Sequence, residues 1–285
     1  MSQSGGQKPT AGPVRRVAFG NFATWVDLIR PNLAARYAPS FVDLSLVRLE
    51  AFDAVIPLQI PHYAPLAAHP ELRGLRFFHP SPQVVSLCDD KQRLTQFLMA
   101  QGFADFVPPL RSSGAPYPYV RKRRQGWWGM HCQIVNGPQD ERGLDRSDDA
   151  WFAQAFVPGE IEFATHILRA AGQVRYASTF AYKMATPAFV KGARDTPLHT
   201  LFIPGCEYLD LFSEILARLE FEGTACIDYK VVNGQPVLFE INPRFGGSLA
   251  SDVTAYLDAY LGSLARPSLG RRCRFALNRL RRRHG

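Results

Sequence analysis

The chain has no cysteine pair. Its five cysteines, Cys88, Cys132, Cys206, Cys226 and Cys273, are an odd number, widely spread, and contain no C-x-x-C. That argues against a disulfide framework or a zinc site and for reduced thiols. The seven histidines form no ligand pair at helical spacing, so His166 and His199 read as ordinary polar or core residues. No G-x-G-x-x-G follows the first strand expected from the sequence, so no dinucleotide is assigned there. There is no Ser–His or Cys–His constellation for nucleophilic catalysis, and no internal repeat. No apolar run approaches the roughly 20 residues that cross a bilayer. Arg15-Arg16 does precede VAFGNFATWV, but Asp27 interrupts the run and no small-residue cleavage site follows. A first β-strand is therefore expected there, and the absence of an export signal favours the cytoplasm.

What is present is a chain of 285 residues with 46% hydrophobic content and a formal charge of +8. That length suffices for a sizeable core and two or three small lobes. The charge is unevenly placed. Arg271, Arg272, Arg274, Arg279, Arg281, Arg282 and Arg283 crowd the C-terminus, and Arg121, Lys122, Arg123 and Arg124 form an internal cluster. The tail has the composition to touch nucleic acid or an acidic membrane. A solvated helix end is the favoured reading, and nucleic acid is not an expected partner.

The most informative segment is GTACIDYKVVNGQPVLFEINPRFGGS, which contains Asp228, Glu240, Asn242 and Arg244. Two apolar runs flank Asn233-Gly234, a strong hairpin signal. Asp228 and Glu240 lie at similar depth on either side of the turn, so the two carboxylates can share one face. Asn242 is two residues beyond Glu240 and points the same way. A carboxylate inside an apolar strand needs a cation, a metal or a donor beside it. Two carboxylates and an amide next to an arginine are hard ligands suited to one or two Mg²⁺ ions with a phosphate. The competing reading is a plain hairpin, one acid capped by Arg244 and the other exposed.

This segment closely resembles the metal-binding end of ATP-grasp enzymes, in the branch that looks like the large chain of carbamoyl phosphate synthetase. The resemblance covers about residues 86 to 261. It implies an α/β ATP-grasp fold and an ADP-forming ligase that joins a carboxylate to an amine through an acyl phosphate. ATP and Mg²⁺, or Mn²⁺ in its place, would be the cofactors, and a small-molecule carboxylate and amine the substrates. By the same resemblance Asp228, Glu240 and Asn242 would be the metal ligands, and Arg244 would hold the transferring phosphoryl group or the acyl phosphate.

Other segments take their places by the same likeness. In SLCDDKQRLTQFLMAQGF, Asp89 or Asp90 caps a helix that Gly102 stops. Lys91 in its first turn is awkward for the helix dipole, a conflict that a phosphate would relieve. Lys122 would end a strand and reach the phosphates, with Arg121 on the opposite face. The loop after it keeps Gly126 and Gly129 but carries Trp127 and Trp128 where small residues are usual. Those tryptophans would close over ATP or touch the second substrate. Gln154, Ala155, Phe156 and Val157 match the linker that meets adenine. Glu162, with Glu160 second, would grip the ribose. Lys183, Lys191 and Arg194 would lie near the acceptor carboxylate.

The expected organisation is a disordered tail (1–13), an N-terminal lobe preceding the ATP-grasp fold (14–86), a small ATP-grasp lobe (87–153), a metal and substrate lobe (154–265) and a basic tail (266–285). Helices are expected at Trp25–Tyr37, broken at Pro31, and at Cys206–Glu220 and Ser251–Leu261. Two alternatives stand beside ligation. One is a relative that phosphorylates or only binds nucleotide; the other is a nucleic-acid or protein-binding module using the arginine tail.

Overall fold

Three sheets organise the chain. The computed structural model describes residues 12–264 except 113, 114, 127, 128, 146 and 193. The Trp127-Trp128 loop tip, residues 1–11 and the arginine tail lie outside the described residues.

The first sheet is parallel, in the order β2-β1-β3, with β1 at Arg15–Gly20, β2 at Tyr37–Val42 and β3 at Ala54–Ile56. Helix α1, Ala23–Ile29, crosses from β1 to β2, as a parallel pair requires. The break expected at Pro31 is present, as a 3₁₀ turn at Arg30–Asn32, but no helix continues beyond it toward Tyr37, which opens a strand. Pro31 has no N–H to continue the ladder, and Asn32 Nδ2 donates to the Leu28 carbonyl at 2.8 Å, closing the last turn. A short helix α2, Tyr63–Ala67, follows β3.

Helix α3, Pro82–Asp89, is an element the sequence reading omitted. Ser81 caps it, its side chain accepting from the Val84 amide, and Pro82 fills the first turn. Helix α4, Lys91–Ala100, is capped by Asp90, which accepts from the Arg93 amide, and Gly102 lies just beyond its end at φ +91°. The second sheet is antiparallel, β5-β4-β6, with β4 at Tyr119–Arg123, β5 at Cys132–Val135 and β6 at Trp151–Ala155.

The third sheet has the order β11-β10-β7-β8-β9. Its strands are β7 (Ile161–Ala170), β8 (Gln173–Lys183), β9 (His199–Pro204), β10 (Gly223–Val232) and β11 (Gln235–Asn242). Asn233 and Gly234, at φ +51° and +79°, make the two-residue turn that joins β10 to β11. Helix α5, Leu209–Arg218, precedes β10. Helix α6, Val253–Leu264, follows a 3₁₀ segment at Gly247–Asp252.

Two apolar clusters position the site. Leu94 and Leu98 of α4 and Phe212, Ile215 and Leu216 of α5 pack against Ile227, Tyr229, Leu238 and Ile241. Each such buried side chain contributes about 1.5–3 kcal/mol. The second cluster joins Val17, Phe19, Trp25 and Ile56 to Phe245, Leu249 and Tyr256. It locks the N-terminal sheet onto the segment that follows β11.

His166 on β7 is buried beneath that segment. Its Nε2 lies 2.8 Å from Ser248 Oγ, while Nδ1 has no partner among the described residues. Burial, aided by the nearby charges of Arg244 and Lys191, pushes its pKa down to about 3. The folded state therefore binds fewer protons than the unfolded chain between that value and the ordinary imidazole pKa. Stability is fully present above the unfolded pKa and is lost as pH falls. From pH 7.5 to 5.5 this group alone removes about 1.4 kcal/mol. Urea titrations of His166→Gln are expected to show a pH dependence shallower by that amount; an unchanged slope would show that the imidazole is not held neutral.

Candidate active site

Asp228 and Glu240 stand directly opposite one another across the β10–β11 pair, with Cys226 opposite Asn242. Asn242 Nδ2 donates to Asp228 Oδ2 at 3.0 Å and to Glu240 Oε1 at 2.9 Å. One amide thus sits between two carboxylate oxygens. Its Oδ1 receives Arg244 Nη2 at 3.4 Å.

Lysines balance the buried acids. Lys91, at the start of α4, places Nζ 3.3 Å from Glu240 Oε2 and donates to the Gly126 carbonyl at 2.6 Å. The conflict between this ammonium and the helix dipole is therefore met by Glu240 and a loop carbonyl within the protein itself. Lys191 places Nζ 2.8 Å from Glu162 Oε1 and 3.4 Å from Asp228 Oδ1, and 4.1 Å from the centre of the Tyr182 ring. Burial works against its charge, but Asp228 and Glu162 outweigh it and raise its pKa.

The two carboxylates titrate as a pair. Burial, then Glu240 and Glu162, push Asp228 up, against the pull of Lys191. At Glu240 burial acts the same way, but Lys91, the Asn242 amide and Lys122 hold the carboxyl below its usual range. Asp228 is the more readily protonated of the two.

Lys122 on β4 is partly buried, and its Nζ comes within 3.5 Å of the Phe239 carbonyl. Burial pushes its pKa down. Arg121 turns to the other face, over the Trp151 ring at 4.2 Å. Arg244 donates to the Phe245 carbonyl at 2.9 Å, and its guanidinium stands 5.4 Å from the Trp25 ring centre.

These groups line one cleft of 410 Å³ between the second and third sheets. Of the residues singled out from the sequence, the cleft brings together Lys91, Lys122, Gln154, Ala155, Phe156, Val157, Glu162, Lys191, Asp228, Glu240, Asn242 and Arg244. Glu160 and Lys183 pair with one another away from it, and Arg194 is exposed outside its wall. Trp25, Tyr182, Lys230 and Ser248 also line it. Sequence reasoning passed over all four, and each reaches the cleft from a different element. Among the described residues no group of three or more His, Cys, Asp or Glu is placed to hold a metal. Any cation site here is two carboxylates and an amide.

A family model described as an ATP-grasp domain matches residues 88–248. The chain belongs to the ATP-grasp family. No curated protein matches it. Among solved structures, the ATP-grasp chain resembles D-alanine–D-alanine ligase from Bacillus anthracis at 14% identity and a TM-score of 0.58, covering 88% of this chain and 94% of that one. L-amino acid ligase from Bacillus licheniformis matches at 20% identity and a TM-score of 0.55, with 85% and 70% covered. N5-carboxyaminoimidazole ribonucleotide synthetase from Thermotoga maritima matches at 16% and 0.54, with 88% and 75% covered. At these identities the likeness is one of fold, and it supports the α/β ATP-grasp architecture expected from the sequence. No described helix is long and apolar enough to cross a membrane.

Gly246 closes the floor of the cleft. Its backbone is extended (φ −98°), yet an added Cβ would press on His166 Cε1, and would lie 2.9 Å from His166 Nδ1 and 3.1 Å from Cys226 Sγ. The glycine is needed for close approach. Gly246→Ala is expected to cost about 1–3 kcal/mol in chemical denaturation; wild-type stability would mean that His166 yields freely.

Proposed function

We propose that this protein is an ATP-dependent ligase that joins a carboxylate to an amine through an acyl phosphate, releasing ADP and phosphate. The single observation that carries the reading is the cleft itself: a partly buried carboxylate pair bridged by an amide and surrounded by Lys91, Lys122, Lys191 and Arg244.

The residues fit a hard divalent cation. Asp228 Oδ2 and Glu240 Oε1 converge on a single donor atom, and a donor so held marks a point where a small cation is accepted by both oxygens. Nitrogen and oxygen of an amide exchange places by a half-turn, so Asn242 can offer either atom there. Asp228, Glu240 and Asn242 would hold Mg²⁺. When bound, that ion would neutralise phosphate charge and polarise the transferring group.

The protein's own groups do the rest. Linker residues 154–157 hold the base and Glu162 the ribose hydroxyls. Lys91 and Lys122 sit against the phosphates. A substrate carboxylate oxygen attacks the γ-phosphorus; that O–P bond forms as the bond to the β,γ-bridging oxygen breaks, and ADP leaves. The amine nitrogen then attacks the acyl carbon. Arg244 stabilises the tetrahedral oxyanion, and phosphate departs with the C–O electron pair while the amine loses a proton. No protein nucleophile is required. The apolar Trp25 face against Arg244 gives the second substrate one wall from the N-terminal lobe.

A screen of carboxylate and amine pairs for ADP release, with mass detection of the product, tests the reaction. ADP formed without any amine would point instead to phosphoryl transfer alone. Glu240→Gln and Asn242→Ala are each expected to lower Mg·ATP turnover by about 100-fold or more with an unchanged circular dichroism spectrum; turnover at the wild-type rate in either would remove the metal assignment. For Arg244→Ala the expectation is a loss of about 100-fold in kcat with nucleotide affinity held within about 3-fold. Equal loss of both would make Arg244 a ground-state binding residue.

A further inference from the structure

Lys230 on β10 has no role in the chemistry above, yet it is one of the least exposed charged groups in the protein, at 3%. Its Nζ donates to the Val157 carbonyl at 3.0 Å and stands 4.0 Å from the centre of the Phe189 ring. No carboxylate among the described residues pairs with it. An ammonium carries three donors. One is spent on Val157 and another faces the ring, so one is left for something not supplied by the chain.

A second polar group faces the same cleft without a partner. Gln154 is 1% exposed. Its Nε2 donates to Thr95 Oγ1 and to the Pro108 carbonyl, both at 3.1 Å. Both amide hydrogens are thereby committed, which fixes the orientation of the amide. Oε1 is left as a buried acceptor with no donor among the described residues. The same cleft has apolar walls as well, among them Val120, Phe156 and Phe189, and Phe156 and Phe189 both present their rings to the Lys230 ammonium.

We propose that Lys230 is a nucleobase-binding residue. This rests on the nucleotide-dependent reading above and names what selects the base. The ammonium donates to a ring-nitrogen acceptor, while Gln154 Oε1 accepts from an exocyclic amino group. A donor-only group and an acceptor-only group together ask for a base carrying an amino group and a bare ring nitrogen. Adenine offers N6–H₂ beside N7 on one edge, whereas guanine offers only the acceptors O6 and N7 there. Guanine would set O6 against Gln154 Oε1, acceptor against acceptor.

The test is titration calorimetry on the full-length chain with Mg²⁺. The probes are ATP, inorganic tripolyphosphate and the three deaza-ATP analogues lacking N1, N3 or N7, each against wild type and Lys230→Met. Wild type is expected to bind ATP at least about 10-fold more tightly than tripolyphosphate, and one of the deaza analogues about 10-fold more weakly than ATP. In Lys230→Met, ATP affinity is expected to fall about 10- to 100-fold with tripolyphosphate affinity unchanged, and the penalty of that analogue to vanish. Three outcomes overturn the assignment alone: wild type binding all three analogues as it binds ATP, an analogue penalty that persists in the variant, or parallel loss of ATP and tripolyphosphate. The last would make Lys230 a prop for the linker. Wild type binding neither ATP nor tripolyphosphate would instead overturn the nucleotide reading, and this assignment with it.

Discussion

Two partly buried carboxylates set face to face across one hairpin fix the terms for the rest of the molecule. Asp228 and Glu240 repel each other in a region where water screens little. A charge so enclosed survives only with partners, and here the cationic ones come from outside the hairpin. Lys91 arrives from a helix start more than a hundred residues upstream, Lys191 from the loop after β8, and the Asn242 amide from the same strand. The lobes are thus drawn together around the acids. Lys91 at an N-terminal helix turn is unfavourable by itself. Its contact with Glu240 shows what that placement achieves, because the helix start is pinned to β11 and, through Gly126, to the loop after β4.

The hairpin was legible because everything that defines it is local. Two apolar runs and a turn of two residues able to adopt positive φ mark its strands and its bend. The exact pairing was not legible: equal counts from the turn would set Asp228 opposite Phe239, and a bulge between Asp228 and Tyr229 shifts the register by one and brings Glu240 there instead. The α4 start and the Gly102 stop were legible for the same reason. Other features were not. Glu160 and Glu162 alternate identically along the chain, and only the third dimension separates them: Glu162 meets Lys191 inside the cleft, while Glu160 meets Lys183 outside it. Helix α3 did carry a signal, Ser81 followed by Pro82, a cap and first-turn pair that short length obscured. Lys230 carried none, since an alternating strand reads a lysine as solvent-facing. It is buried because β10 is a central strand with β7 and β11 on either side.

In the proposed reaction the N-terminal lobe has a part that its short parallel sheet does not advertise. Tyr63 donates to the Pro243 carbonyl at 2.5 Å, Trp25 lies beneath the Arg244 guanidinium, and Phe245 is buried among Phe19, Trp25 and Tyr256. Tyr260 of α6 bridges the same lobe, accepting from the Phe78 amide and donating to the Val55 carbonyl. The residue on each side of Arg244 is therefore held by the N-terminal lobe. An arginine that is to meet charge developing in a transition state must not have to reorganise when the charge appears. This lobe supplies that rigidity.

The distribution of charge completes the picture. The cleft wall carries six cationic side chains, Lys91, Lys122, Arg123, Lys191, Lys230 and Arg244, against the three carboxylates Glu162, Asp228 and Glu240. A surplus of one sign inside a partly closed, low-dielectric cavity raises the local concentration of anions and speeds their capture. The same surplus destabilises the empty protein, because like charges are kept close without enough partners. Lys122 and Lys230 are disfavoured as cations for a separate reason, burial, which depresses the pKa of each. In the proposed function a polyanion with its divalent counter-ion would relieve that repulsion and engage the donors left over, which would make the excess of lysine here a property of the site rather than of the basic chain as a whole.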